Sequence, residues 1–534
     1  VVMDKNNKNF QTSKPKSMMG RRAFVATTLA AGASLGLAAE RSSQIQSDEP
    51  KKGGTLRVGF TQGALSDSTD PASFNNDFMF AYAYGVFNGL TEIAPSGELV
   101  PELALQWQAS PDARIWTFQL RRGIQFHNGK DFVAADVVAT INHHRHINST
   151  SSAKPLVADI VRVTALDPHT VVMELGSGNA DFPFIFSQYN LVIHPALGDS
   201  IDVTSMNGTG PYEAKIFDPG VRAVYQRNPN YWKPGRAHLD SVEIILVADP
   251  AARLSALITG AVDLIDRPDL KTLHLLKRHP SVRVEQTVGN KHYTLPMLSD
   301  IAPFTNNDVR MALKHSIDRE EMVDKILKGC GVVGNDHPIG PTVPFFNSDL
   351  PQRSYDPDKG RFYLNRAGLK TLDVKLHMAD VSWGNDSVKA GVLFSESSAK
   401  AGINLQVLRE PNDGYWSNVW MKKSFCGSYS GGRPTADWAF TTTYARGVSW
   451  NESHWDHSRF NQLLVAARSE LNQALRGEMY YEMQGLVRDE GSTIIPMFGN
   501  YVLAMNKHVR HTEKIASNWD LDGQRFMERW WLDA

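Results

Sequence analysis

The residues with the most chemical content lie between Tyr415 and Trp455, a stretch that holds five of the chain's twelve tryptophans: Trp416, Trp420, Trp438, Trp450 and Trp455. Inside it runs Tyr429-Ser430-Gly431-Gly432-Arg433-Pro434-Thr435-Ala436-Asp437-Trp438, a glycine-rich turn with a fixed positive and a fixed negative group. Aromatic faces joined by a few convergent polar groups line small-ligand pockets. A zwitterion stripped of water there needs a carboxylate for its ammonium and a forked donor for its own carboxylate. Arg433 has the fork. The candidate set is Arg433, Asp437, Trp438, Tyr429, Trp416, Trp450 and the neighbouring Asn451. Plainer readings compete: Arg433 pairs with Asp437 itself or joins a surface ion pair, which contributes little, and the aromatics pack a core.

Other groups carry weaker signals. His143, His144 and His146 cluster, as do His454 and His457 around Asp456, and imidazoles at such spacing ligate metals. Adjacent His143 and His144 diverge on a helix, so a solvated face is the preferred reading. Gly329-Cys330-Gly331-Val332-Val333-Gly334 spells the dinucleotide fingerprint, but it follows a helical pattern rather than a strand and reads as a loop. No His-Glu-x-x-His occurs, and no nucleophile, base and orienting acid can be nominated from local signatures. An exported hydrolase is the alternative of another class, and the chain reads as a non-enzyme that needs no cofactor. Cys330 and Cys426 are too few and too far apart for a disulfide framework and read as two buried small hydrophobes, with one disulfide as the alternative.

The elements that must position these groups follow from periodicity. Thr55-Leu56-Arg57-Val58-Gly59-Phe60, Ile115 to Arg121 and Val221 to Arg227 alternate apolar and other residues between turn signals, which predicts strands. Asp249-Pro250 supplies a cap and a first-turn proline, Leu254, Leu257 and Ile258 form one face, and Gly260 stops the helix. Thr305 with Asp308 resembles a capping box, opening a helix through Val309, Ala312, Leu313, Ile317 and Ile326 to Gly329. A chain of 534 residues mixing such elements predicts two or three α/β lobes. With 56 Lys plus Arg against 57 Asp plus Glu, nothing electrostatic points to nucleic acid or an anionic membrane. Near the start, Arg21-Arg22 precedes an apolar run from Ala23 to Ala39 and then a polar stretch, which reads as a twin-arginine export signal and linker over residues 1–52.

Four separated segments, taken in order, carry a shared pattern. The first runs from Leu99-Val100-Pro101-Glu102-Leu103-Ala104 through Trp116-Thr117-Phe118 and Phe126-His127-Asn128-Gly129-Lys130 to Ala135-Asp136-Val137-Val138. The second is Gly208-Thr209-Gly210-Pro211-Tyr212 with Asn228-Pro229-Asn230-Tyr231-Trp232. The third is Asn307-Asp308-Val309-Arg310-Met311-Ala312-Leu313 with Ile317-Asp318-Arg319, and the fourth Tyr355-Asp356-Pro357-Asp358-Lys359 to Ala367-Gly368-Leu369. In that order the four segments resemble the family 5 solute-binding proteins of ABC importers, the dipeptide-, oligopeptide- and nickel-binding class, with Val133 standing where that family places a capping Thr.

The resemblance implies a periplasmic-binding-protein-like fold, α/β and two-lobed, class II and cluster C in type, with an additional sub-domain. Residues 53–88, 205–299 and 500–534 would form lobe I, 89–204 its sub-domain and 300–499 lobe II. The chain would cross between lobes near Leu295 to Phe304 and Pro496 to Asn506, with Pro296, Pro303 and Pro496 as boundary residues. It further implies a periplasmic monomer of a Gram-negative bacterium that closes over its solute and docks on a membrane permease driven by an ATPase, neither present in this chain. In peptide-binding members an Asp in the corresponding loop meets the ligand's amino group, and Asp437 matches it. Phe74 and Asn75, after Asp70-Pro71, would face the cleft from the opposite lobe. The implied ligand is a dipeptide, oligopeptide or opine-like zwitterion. An oligosaccharide, favoured by the tryptophans, or nickel, favoured by His454 and His457, is the alternative.

Overall fold

The computed structural model describes residues 49–533; the twin-arginine segment lies outside them. Two bodies, each built on its own sheet, and a third smaller sheet make a two-lobed α/β fold with an added sub-domain. The first sheet has seven strands. Thr55–Phe60 runs in its middle, parallel to Ser241–Leu246 and to Leu264–Asp266. Outside these lie Arg222–Arg227 and Tyr212–Asp218 on one flank and Tyr501–Asn506 and Val282–Thr287 on the other, all antiparallel. Leu56, Val58 and Phe60 are fully buried at alternate positions, as a strand with one core-facing row requires.

The second body has a four-stranded sheet, in the order Gly331–Val333, Thr493–Gly499, His292–Pro296, Ser428–Ser430, and a parallel pair, Leu372–Met378 with Ile403–Arg409. Ser428–Ser430 leads directly into the Arg433 turn. The smaller sheet, Ala104–Ala109, Ile115–Leu120, Thr170–Leu175 and Ile160–Asp167, is antiparallel throughout and packs helix Ala134–Arg145. That helix has no side-chain cap at Val133; Asp136 Oδ2 instead accepts the Val133 N–H at 2.9 Å.

Locally encoded elements form where their caps stand. Asp249 accepts from Ala252 N at 2.7 Å to open Pro250–Ile258, and Gly260 takes φ +75° behind it. Other expectations are corrected. The helix read from Thr305 to Gly329 is two helices: Asn306, not Thr305, caps Asn307–Ser316, and Ile317 leaves helical geometry so that Asp318 can cap Arg319–Lys325. A second strong cap within the run competes with helix continuation. The Gly329–Gly334 run is not all loop, since Gly331–Val333 pairs antiparallel with Thr493–Gly499.

The chain passes from the first sheet to the second between Thr287 and His292, ahead of the expected Leu295–Phe304, and returns between Gly499 and Tyr501. Pro296 and Pro496 lie inside strands of the second sheet rather than at boundaries. The two passages touch: a Cβ on Gly289 would stand 2.7 Å from the Gly499 carbonyl oxygen, a distance only glycine permits. Cys330 and Cys426 are both buried and unbridged.

Candidate ligand-binding cleft

A cavity of about 360 Å³ opens beside the edge strand Ser428–Ser430. Trp416, Trp420, Tyr429 and Trp450 supply its aromatic walls, and Arg433 and Glu452 its charges. Trp416 stands edge-on to both Trp420 and Tyr429 at 5.9 Å, so the rings form one continuous corner. Trp416, Tyr429 and Trp450 remain partly exposed, unlike core aromatics such as Tyr415 and Phe440 nearby.

Arg433 is held by its loop. Gly432 adopts φ +86°, and a Cβ there would come within 2.5 Å of Asn290 on the sheet-to-sheet passage, so the loop lies flush against that passage. Arg433 Nη1 donates to the Gly432 carbonyl at 2.7 Å, while its Nε is buried with no hydrogen-bond partner. Its guanidinium lies 5.9 Å from the Trp438 ring. No carboxylate pairs with it among the described residues. Burial lowers its pKa, and the Tyr189 hydroxyl of the first body acts in the opposite sense. Tyr189 stacks on Phe80 at 3.6 Å and meets Trp519 at 5.9 Å, and burial pushes its hydroxyl up to about 12.

Glu452 was not anticipated. Its carboxylate accepts from Trp420 Nε1 at 2.9 Å and from Thr294 Oγ1 at 2.8 Å, all neutral donors, and burial raises its pKa. No cation pairs with it among the described residues. The available signal was a carboxylate two positions after Trp450, inside the tryptophan-rich stretch. Arg433 and Glu452 thus place a cation and an anion, each without an opposite charge, on one aromatic cavity.

The other expected residues lie elsewhere. Asp437, buried on helix Ala436–Thr443, accepts from Arg468 Nε at 3.2 Å and does not line the cavity. It belongs to a contact between bodies, where Arg476 Nη1 reaches Asp181 Oδ1 at 2.7 Å and Ala180 N donates to the Arg468 carbonyl at 2.7 Å. Trp438 flanks Arg433 without lining the cavity, and Asn451 is buried, donating to the Trp455 carbonyl at 2.8 Å. Phe74 is fully buried edge-on against Tyr82, and Asn75 is exposed, bonded to Asn76; neither lines the cavity. The histidine groups do not converge: His143 pairs with Asp70 and His144 with Ser151. His454 pairs with Asp300, His457 caps helix Ser458–Ser469, and Asp456 pairs with Arg446. A larger opening of about 1000 Å³, walled by Ser96–Glu98, Glu285–Val288 and Pro341–Pro344, contains none of the expected residues.

Residues 98–452 match the family described as bacterial extracellular solute-binding proteins, family 5 middle. The chain is 25% identical over 461 residues to di/tripeptide-binding protein 1 of Pseudomonas aeruginosa, covering 79% of this chain and 85% of that protein. It is 28% identical over 339 residues to heme-binding protein A of Haemophilus influenzae, covering 58% of this chain and 60% of that one. Among solved structures, HbpA2 from Haemophilus parasuis superimposes with a TM-score of 0.80 at 21% identity, covering 90% of this chain and all of that one. With a two-lobed fold, a cavity presenting unpaired charge and a family match across most of its length, the chain belongs to family 5 of the bacterial extracellular solute-binding proteins.

Proposed function

We propose that this chain is the periplasmic capture subunit of an ABC importer and that its solute is a small zwitterion, dipeptide-like or opine-like, bound between the lobes. The observation that carries the reading is Arg433, a largely buried guanidinium with an unsatisfied Nε and no carboxylate partner among the described residues. A ligand carboxylate completes it with charge-assisted bonds. Glu452 then receives the ligand's ammonium, taking the role that sequence reasoning gave to Asp437, and the tryptophan corner covers the apolar remainder. The di/tripeptide-binding relative supports this ligand class.

Residues 53–88, 205–299 and 500–534 as lobe I, with 89–204 as its sub-domain and 300–499 as lobe II, form the working division. The protein acts as a monomer, exported through its twin-arginine segment in a Gram-negative cell. It binds without chemistry and hands its solute to a permease coupled to an ATPase, solute favouring the closed form by its higher affinity for it. The test is a thermal-shift and calorimetric screen of residues 53–534 against dipeptides, opines, oligosaccharides and nickel. A zwitterion at 100 times its Kd raises stability by about 2.7 kcal/mol. Arg433→Ala weakens its binding about 100-fold. A response to sugars or nickel alone, or undiminished zwitterion binding in Arg433→Ala, refutes the reading.

A further inference from the structure

We propose that the cleft selects a zwitterion bearing a second anionic group, held by Lys291, so that its ligand carries two carboxylates and one ammonium. This deepens the zwitterion reading and rests on it. Lys291 sits at the end of the passage between the two sheets, one residue before strand His292–Pro296. Its Nζ stands 5.2 Å from the ring centroid of Tyr429 and 5.4 Å from that of Tyr293; Tyr429 lines the Arg433 cavity, whereas Lys291 does not line it and reaches it only through that ring. Among the described residues nothing accepts a hydrogen bond from this ammonium and no carboxylate pairs with it.

Ring faces compensate a desolvated cation only in part. The charge that acts on Lys291 is of like sign, the Arg267 guanidinium, whose own needs are met by Asp77 and Asp520. Burial and Arg267 together push the Lys291 ammonium down to about 8, a cation kept short of an anion.

Three charges on and beside the cavity therefore lack opposite partners: Arg433, Lys291 and Glu452. A neutral dipeptide answers two of them and leaves Lys291 as it was. A dipeptide with one acidic side chain, or a secondary amine bearing two carboxylates, answers all three. Lys291 thereby becomes a specificity determinant, favouring acidic solutes over amides of the same shape, because the amide supplies no charge to a cation already stripped of water.

The experiment compares matched pairs by calorimetry: L-alanyl-L-glutamate against L-alanyl-L-glutamine, and N-(1-carboxyethyl)-L-alanine against its monoamide. The acidic member of at least one pair binds about tenfold tighter or more. That ratio collapses toward one in Lys291→Met and is retained in Lys291→Arg. Lys291→Gln serves as the second neutral variant should Lys291→Met not fold. Equal affinities within both pairs, or a ratio that survives in the neutral variants, overturns this proposal and leaves the zwitterion reading standing. If none of the four compounds binds, this proposal falls, and the screen of dipeptides and opines decides the zwitterion reading separately.

Discussion

Two sets of buried charges in this molecule use the same residue types to opposite ends. In the first, Lys233 Nζ meets Glu102 at 2.7 Å and Glu528 at 2.9 Å, Arg525 grips both oxygens of Glu102 at 2.7 and 2.8 Å, and Arg529 reaches Glu92 at 2.6 Å. Every member is answered by an opposite charge, and stretches distant in sequence are tied together. In the second, Arg433, Lys291 and Glu452 have no opposite charge among the described residues. Ionic groups in low dielectric are costly unless paired. The first set meets that requirement within the chain; the second, on the reading proposed above, leaves it to a solute. Between these two sets completeness of pairing marks the difference, although buried Lys314, away from the cavity, is likewise without an ion pair among the described residues and is held by three backbone carbonyls instead.

The comparison makes its strongest demand at Glu102. Glu102→Ala removes the carboxylate that Lys233 and Arg525 share and leaves both to Glu528 and Glu92, so unfolding by denaturant shows a loss of about 3 kcal/mol. A loss below about 1 kcal/mol would mean that the network relaxes into water and that its pairing does not mark scaffold.

An intermediate case sharpens the contrast. Asp77, Asp266 and Asp520 bring oxygens within 4.8 Å of one another; Arg267 pairs with Asp77 and Asp520, and Asp266 has only a long 3.8 Å contact to Arg253 Nε. Burial first, then the Asp520 charge, push the Asp266 carboxyl up to about 6. A carboxyl whose folded-state pKa is raised stabilises the fold at low pH, and that contribution is lost as pH rises from about 4 through about 6. Wild type therefore loses on the order of 2 kcal/mol between pH 4 and pH 7 that Asp266→Asn does not, in denaturant titrations at each pH.

The smallest expected effect is at Glu452. Glu452→Gln keeps acceptor capacity for Trp420 and Thr294 and removes only the charge, so zwitterion affinity falls about tenfold by calorimetry with little change in melting temperature. A fall in stability with no change in affinity would place Glu452 on the scaffold side.

What the sequence made legible follows the range of the interactions. The Pro250–Ile258 helix and the Thr55–Phe60 strand depend on neighbours within a few positions, and each forms as read. The break at Ile317 was hidden because two adequate caps, Asn306 and Asp318, stand in one apolar run, and packing decides between one helix and two. At the site, Arg433 was legible as a forked cation in a tight aromatic loop. Asp437 was assigned to the ligand because its partner Arg468 lies 31 residues on, beyond any local pattern. Glu452 and Lys291 were overlooked for the converse reason: what distinguishes them is the lack of a partner, and a lack has no motif.

Gly432 carries one more consequence. The loop presenting Arg433 rests on Asn290 with no room for a methyl group, and Asn290 belongs to one of the two strips of chain that join the lobes. A pull on the guanidinium is therefore a load on the joint itself, with a single glycine as the bearing surface. On the proposed reading of Arg433 as the solute's anchor, a side chain at position 432 would act as a wedge that props the joint and weakens capture without touching the solute.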